Sequence, residues 1–140
     1  AIVAIRHHET PHASVLIIAT QDGVVEGWDL RARCRNFVWR VPPNAGAVRV
    51  LELSPQAHAI IVGTARGIVL VFDRRFGILA TAWRDPLGRP ISSLRPYLSL
   101  ALATRAIAPT AAPSSHAHAA DAEVACFSLE SGQCLRTLRS

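Results

Sequence analysis

An aromatic residue followed by aspartate closes an apolar run twice in this chain, at an interval of 44 residues. The string "GWDLR" occupies 27–31, and "VFDRR" occupies 71–75. A third string, "CFSLE" at 126–130, keeps the aromatic residue but has serine in place of aspartate. A recurrence at this period predicts that one supersecondary unit is repeated along the chain.

Apolar runs of strand length recur along the first 84 residues and predict the secondary structure. They are rich in β-branched residues, and the segments between them (QDG, PPNAG, SPQAH, ARG, RFG, DPLGRP) have the composition of turns. No window sustains the 3.6-residue period of a helix. The runs are 1–5, 14–20, 24–30, 37–41, 47–54, 59–64, 68–73 and 78–83. We therefore expect an all-β fold.

The repeats define three units, about 1–41, 47–84 and 91–140. Small residues open the third strand of each unit, and an aromatic residue follows five positions later: Gly23 and Trp28, Gly67 and Phe72, Ala122 and Phe127. The first interval matches the roughly 40–45 residues of a four-stranded blade. The second interval is longer because of an Ala/Pro/Ser/His-rich tract at 108–120, which we expect to be a disordered insertion.

The stretch "NAGAVRVLELSPQAHAIIVGTARGIVLVFD" (44–73) resembles a degenerate WD repeat, and the resemblance extends to all three units. It implies a WD-repeat β-propeller, of which this chain supplies about three four-stranded blades. A closed ring takes about 4 to 8 blades, so the chain would be part of a larger ring. In the family a loop histidine, a hairpin aspartate, a strand hydroxyl and the tryptophan form a hydrogen-bonded network. Asp22 and Trp28 would fill two of these roles in the first unit, and Asp121 one in the third. In the second, Asn44 and Arg66 stand at the histidine and aspartate positions.

The resemblance assigns structural work to the repeated positions. The aromatic residue would anchor the third strand between adjacent blades, and the following aspartate would end that strand by hydrogen bonding in the turn. The repeat positions are Asp22, Gly23, Trp28, Asp29, Gly67, Phe72, Asp73, Asp121 and Phe127.

A closer resemblance is to the protein-kinase-like regulatory subunits of the class III phosphatidylinositol 3-kinase complex. The strings "ATQDGVVEGWDLRAR", "GTARGIVLVFDRRFG" and "EVACFSLESGQCLRTLRS" occur in the order found in their carboxy-terminal propeller. This resemblance implies a non-catalytic scaffold whose partners are the lipid kinase and coiled-coil subunits. It also implies a kinase-like domain elsewhere in the parent chain, and a cytoplasmic location with endosomal or autophagosomal membrane association through the complex. A generic WD-repeat adaptor is the alternative.

A second alternative is phosphoinositide binding, because some propellers hold lipid head groups with an F-R-R-G string. Here "FDRRFG" (72–77) has those letters, but Asp73 and Phe76 interrupt them. Arg74 and Arg75 would face the phosphates; a solvated turn is the simpler interpretation of a basic pair after a strand. A head-group site predicts that Arg74→Ala/Arg75→Ala abolishes vesicle binding.

An enzymatic site finds little support in the sequence, and we predict no catalytic residue, cofactor or metal. The string "HETPH" (8–12) has the spacing of a zinc-binding H-E-x-x-H motif, but Pro11 breaks the helix that the motif requires. We expect a loop there, with His7 beside it. Cys34, Cys126 and Cys134 lack C-x-x-C spacing and indicate neither zinc nor disulfides.

All fifteen basic residues are arginine, and with ten acidic residues the formal net charge is +5. The arginines are spread along the chain, so we expect solvated surface positions and no nucleic-acid partner. No apolar run approaches the roughly 18–20 residues of a membrane span. The chain begins at Ala1 in mid-pattern, and we expect it to be a piece of a longer protein that is insoluble or molten by itself.

Overall fold

Twelve strands form three four-stranded antiparallel sheets in the computed structural model, which describes residues 1–106 and 122–139. The strands of the first sheet are β1 (Ile2–Glu9), β2 (Ser14–Thr20), β3 (Val24–Asp29) and β4 (Cys34–Arg40). Those of the second are β5 (Val48–Leu53), β6 (Ala59–Thr64), β7 (Ile68–Asp73) and β8 (Ile78–Arg84). Those of the third are β9 (Ile91–Tyr97), β10 (Leu100–Ala106), β11 (Ala122–Ser128) and β12 (Cys134–Arg139). The all-β prediction is confirmed.

Each sheet is a simple meander in which strands adjacent in sequence are hydrogen-bonded neighbours. A single-turn 3-10 helix, Pro43–Ala45, lies in the connection from the first sheet to the second. The first strands of neighbouring sheets pack together, β1 against β5 and β5 against β9. This arrangement is consistent with consecutive blades of a β-propeller, and the three sheets do not close a ring.

The second sheet is covered on both faces, as the burial of its two inner strands shows. In β6 and β7 almost every residue is buried, whereas burial alternates along β2. Successive side chains of a strand point to opposite faces, so Ile60 packs towards the first sheet and Ile61 towards the third. Two apolar cores result, one in each gap between adjacent sheets.

Bulges recur at the same place in all three sheets. The register between the third and fourth strands shifts at Gly27/Trp28, Val71/Phe72 and Cys126/Phe127. A bulge bends the strand and re-aims the side chain next to it. The repeated aromatic residue therefore lies at an equivalent irregularity each time.

Two strands begin or end several residues beyond the predicted apolar runs. β1 continues to Glu9, so His7, His8 and Glu9 belong to a strand and the expected loop is shorter. The reason is pairing: His8 and Glu9 are opposite Val15 and Ser14 of β2, so the backbone ladder continues beneath polar side chains. β4 likewise begins at Cys34, three residues before the predicted run. The predicted insertion at 108–120 and Asp121 lie outside the described residues.

Candidate functional site

The repeated aromatic residues of the second and third sheets lie in the gaps between sheets. Phe72 stacks on Trp39 of β4, with ring centroids 5.4 Å apart. Phe127 stacks on Trp83 of β8 at 5.6 Å, and it is fully buried. Trp39 and Trp83 hold the same register position on their fourth strands, opposite Val25 and Val69. Each gap therefore contains the same aromatic contact between the third strand of one sheet and the fourth strand of the sheet before it.

Trp28 has no such contact within the described chain, so its expected role as an anchor between blades stays a prediction. It is 37% exposed, and its indole N–H donates to Glu26 Oε2 at 3.1 Å and not into a hairpin network. The cause is topological. Trp28 lies on the face of the first sheet opposite to Val25, and the second sheet covers only the Val25 face.

The residue after each aromatic holds the turn that follows the third strand. Asp29 Oδ1 accepts hydrogen bonds from the backbone N–H groups of Arg31 and Ala32, both at 2.9 Å. Asp73 Oδ1 accepts from the N–H of Arg75 at 2.8 Å. Ser128 Oγ accepts from the N–H groups of Glu130 and Ser131, both at 3.2 Å. Serine in the third unit therefore accepts the same kind of turn hydrogen bonds as the aspartates.

The hairpin between the second and third strands depends on threonine and glycine. Thr20 Oγ1 accepts from Val24 N–H, and Thr64 Oγ1 from Ile68 N–H, each at 3.1 Å. Hydrogen bonding from Thr20 is the main cause of the lowered pKa of Asp22. Gly67 has φ +72°, and a Cβ there would lie 2.6 Å from the Arg89 carbonyl oxygen. The equivalent hairpin of the first sheet has Gly23, with φ +92°.

A buried network of four charges joins the second sheet to the third, and sequence reasoning missed it. Asp85, Arg105 and Glu123 are 1%, 3% and 3% exposed. Arg89 binds Asp85 through Nη2 and Nε at 3.0 and 3.1 Å, and its Nη1 contacts Glu123. Arg105 contacts Asp85 through Nη1 and Glu123 through Nη2 at 3.1 Å, and lies over the Trp83 ring at 5.5 Å.

The network is electrically balanced, which is what allows it to be buried. Burial alone would raise the pKa of Asp85, but hydrogen bonds from Arg89 and Arg105 outweigh it and lower the pKa to about 2. The two carboxylates raise the pKa of Arg89 in turn. The available signal was Arg105 itself, a charged residue inside an otherwise small and apolar strand. Its partners Asp85 and Glu123 are 20 and 18 residues away and follow no period.

A second ion-pair group links the first strands of the three sheets. Glu52 of β5 receives Arg6 of β1 in a bidentate contact at 2.6 and 2.9 Å, and Arg95 of β9 at 3.5 Å. The three residues hold equivalent register positions, opposite Ile17, Ile61 and Leu102. The charge therefore alternates from one first strand to the next, and these ion pairs help to hold neighbouring sheets together.

The predicted head-group residues are not two free cations. Arg75 binds Asp73 at 2.6 and 3.2 Å, and its guanidinium lies 5.3 Å from the centre of the exposed Phe76 ring. The hydrogen bonds from Arg75 lower the pKa of Asp73 to about 2. Arg74 is half-buried, and its Nη1 atom is enclosed without a hydrogen-bond partner among the described residues. Lipid binding at Arg74 and Arg75 stays a prediction.

The described histidines and a cavity between the second and third sheets show no assembled chemical site. His7 Nε2 contacts Ser14 Oγ at 2.9 Å and His7 lies 4.0 Å from Glu9. Within residues 1–106 and 122–139 no group of three metal-ligating side chains comes together. A cavity of about 490 Å³ between the second and third sheets is lined by the Asp73–Arg75 pair, His58 and Glu130. In the same described ranges no helix is long and apolar enough to cross a membrane.

Comparison with known proteins gives similarity to one group of kinases over most of the chain. No protein-family model matches. The probable serine/threonine-protein kinase vps15 of Dictyostelium discoideum is 33% identical over 97 residues, which are 69% of this chain and 5% of that protein. The serine/threonine-protein kinase VPS15 of Arabidopsis thaliana is 26% identical over 125 residues, 89% of this chain and 8% of that protein. The chain thus spans less than a tenth of the length of these relatives.

Solved structures agree with the architecture. The crystal structures of the computationally designed proteins Ika8 and Ika4 each superpose with a TM-score of 0.74 over 99% of this chain. The chain covers 36% of Ika8 and 72% of Ika4. With 16% and 15% sequence identity, these matches establish the fold alone.

Proposed function

We propose that the chain is part of a WD-repeat β-propeller that acts as a non-catalytic scaffold in a Vps15-like regulatory subunit of the class III phosphatidylinositol 3-kinase complex. The observation that carries the proposal is the similarity to two Vps15 proteins over 69% and 89% of the chain. The kinase activity named for those relatives would belong to another part of the parent protein. The matched segment is only 5% and 8% of their length.

The use of the repeated residues supports a scaffold. Phe72 and Phe127 fill the gaps between sheets, and Asp29, Asp73 and Ser128 hold turns. The charges of Asp85, Arg89, Arg105 and Glu123 balance one another, two positive against two negative. These groups stabilise the sheets, and surfaces that remain are rims and loops, which propellers use to hold other proteins.

The propeller would bind the lipid kinase catalytic subunit or the coiled-coil subunits of the complex. It would reach endosomal and autophagosomal membranes through the complex, from the cytoplasm.

Trp28→Ala in the full-length protein tests the proposal. In a ring, a preceding sheet would cover Trp28 as the first sheet covers Phe72, so truncation would cost roughly 3 to 5 kcal/mol. We expect assembly with the lipid kinase and lipid-kinase output to fall together, in proportion to the folded protein lost. Tyr97→Ala, at a position 66% exposed, is the matched control and should change neither. Normal assembly of Trp28→Ala with a selective loss of catalysis would contradict the scaffold proposal.

A further inference from the structure

Three arginines cross one end of the second sheet from its first strand to its fourth. Arg49 lies at the register shift near the start of β5, Arg66 in the β6–β7 hairpin, and Arg84 at the end of β8. The pairs Val48–Thr64 and Ile68–Arg84 place all three at the same end of the sheet. We call this set the arginine row.

The spacing of the row follows from sheet geometry. Neighbouring strands lie about 4.8 Å apart, so β5 and β8 are separated by about 14 Å. A hairpin joining the second and third strands sits about 7 Å from each outer strand. Measured across the strands, the three backbone positions are therefore nearly evenly spaced.

The charges of the row are not neutralised within the described part of the chain. All three side chains are exposed, and no carboxylate there pairs with any of them. Arg66 donates only to the backbone carbonyl of Asn44, at 3.2 Å. The neighbouring first sheet has Arg40 at the corresponding end of β4, where its charge is among the causes of the lowered pKa of Asp22 and so is not free like those of the row.

The opposite end of the sheets has a different character. There Arg75 is bound to Asp73 and Arg31 lies 3.8 Å from Glu9. The exposed aromatic residues Phe76 and Tyr97, 71% and 66% exposed, are at that end as well. Arg33 and Arg74, which have no ion-pair partner among the described residues, also lie at that end, but in the hairpins of two different sheets.

We propose that the arginine row binds an extended acidic segment of a partner protein, with carboxylates at alternate positions. In an extended chain, residues i, i+2 and i+4 share one face and lie about 7 Å apart. This matches the step from Arg49 to Arg66 and from Arg66 to Arg84. Arginine is suited to the task because its planar guanidinium binds a carboxylate through two parallel hydrogen bonds.

The geometry favours a protein partner over a membrane or a nucleic acid. Interfacial lipid binding combines basic residues with aromatic or large apolar anchors on one face. Single-stranded nucleic acid binding needs aromatic rings on which bases stack. Phe76 and Tyr97 lie at the other end of the sheets from the row; the exposed Leu87 follows Arg84 by three residues, but one leucine is not the apolar face that interfacial binding uses. The inference rests on the proposed scaffold function and specifies which rim is used and what it binds.

The test uses the full-length protein and two fluorescein-labelled nonapeptides of equal charge. One has glutamate alternating with serine, and the other has the same glutamates in one block. The variant Arg49→Glu/Arg84→Glu removes both ends of the row and leaves Arg66, which packs over Gly46, untouched. The control Arg33→Glu/Arg136→Glu makes the same change in net charge at two exposed arginines outside the row.

We expect the alternating peptide to bind the wild-type protein more tightly than the block peptide, and its affinity to fall with added salt. Surface charge pairs each contribute a factor of about 1.5 to 5, and reversal adds repulsion, so the row variant should bind about 10-fold or more weakly. The control should change affinity less than about 2-fold. Equal loss in both variants, or equal binding of the two peptides, would overturn the proposal.

Two further measurements separate the remaining outcomes. Co-sedimentation with phosphatidylcholine/phosphatidylserine vesicles, and anisotropy of a single-stranded oligonucleotide, are run on the same variants. If the row variant lost either of these while peptide binding was unchanged, a lipid or nucleic-acid surface would replace the acidic segment. Co-purification with the lipid kinase catalytic subunit tests the scaffold function separately, because the complex could assemble normally through another rim while the row binds nothing.

Discussion

Phe127 combines full burial with an aromatic partner, so it should matter more to stability than any exposed aromatic residue of the chain. It stacks on Trp83 across the gap between the second and third sheets. Truncating a buried phenylalanine removes its apolar contacts and leaves a cavity, which costs about 3 to 5 kcal/mol. We expect Phe127→Ala to lower the free energy of local unfolding by this amount, measured by hydrogen exchange of 122–128 in the full-length protein. Phe76→Ala, at a position 71% exposed, should change it by less than about 0.5 kcal/mol.

Asp85 should make the junction between the second and third sheets sensitive to acid. Its pKa falls from 3.8 to about 2 on folding, so the unfolded chain takes up a proton first as the pH is lowered. The stabilisation is therefore complete above pH 4 and is lost as the pH falls from about 4 to about 2. We expect hydrogen-exchange protection of 78–84, corrected for intrinsic exchange rates, to decline in this range.

The variant Asp85→Asn checks the cause of that decline. It removes the charge that Arg89 and Arg105 share, and breaking a buried pair costs about 3 to 5 kcal/mol. Its protection at neutral pH should be lower, and its decline below pH 4 shallower. Because the pKa of Asp73 is also about 2, a residual slope should remain. An unchanged pH profile in Asp85→Asn would mean that the network does not govern acid stability.

At the scale of elements, the β6–β7 hairpin is held close to the connection from β8 to β9, and Gly67 is where they meet. Its φ of +72° already disfavours a side chain, and a Cβ would lie 2.6 Å from the Arg89 carbonyl oxygen. Gly77 has a similar φ of +67°, but nothing lies within 4 Å of its Cβ position. Gly77→Ala should thus cost only the backbone term of about 1 to 2 kcal/mol. Gly67→Ala should cost about 1 to 3 kcal/mol more, measured by the same exchange method, and equal costs would contradict the packing argument.

The elements were predictable from sequence where the local chemistry was strong. Glycine-containing turns bounded the runs at 59–64 and 68–73, and these are the observed limits of β6 and β7. Local sequence pattern failed as a guide where backbone pairing overrides side-chain polarity, as at His7 to Glu9, since it does not report a ladder with another strand. It also failed for Asp85, Arg105 and their partners, because their contacts form only when two sheets meet. Trp28 differs from these residues: its place in the repeat was recognised from the sequence, but its burial depends on a neighbouring sheet.

At the scale of the whole molecule, the repeated contact between sheets leaves two faces uncovered. The first sheet exposes Trp28, the counterpart of Phe72 and Phe127. The third sheet exposes Leu138, 50% accessible, which lies opposite Val124 as Trp39 and Trp83 lie opposite Val25 and Val69. The two faces are thus complementary halves of the contact that already occurs twice. Uncovered apolar faces of this kind promote association.

The chain expressed by itself should therefore be insoluble or molten, without a sharp thermal transition. Removing the apolar side chains from both faces, in Trp28→Ser/Leu138→Ser, should raise the soluble fraction measured after centrifugation. The matched control, Phe76→Ser/Tyr97→Ser, removes side chains that are more exposed, 71% and 66%, but belong to neither face. It should leave solubility nearly unchanged, because association through the open faces would persist. A cooperative melt of the unmodified chain as a monomer would show that three sheets are sufficient and that neither face requires a cover.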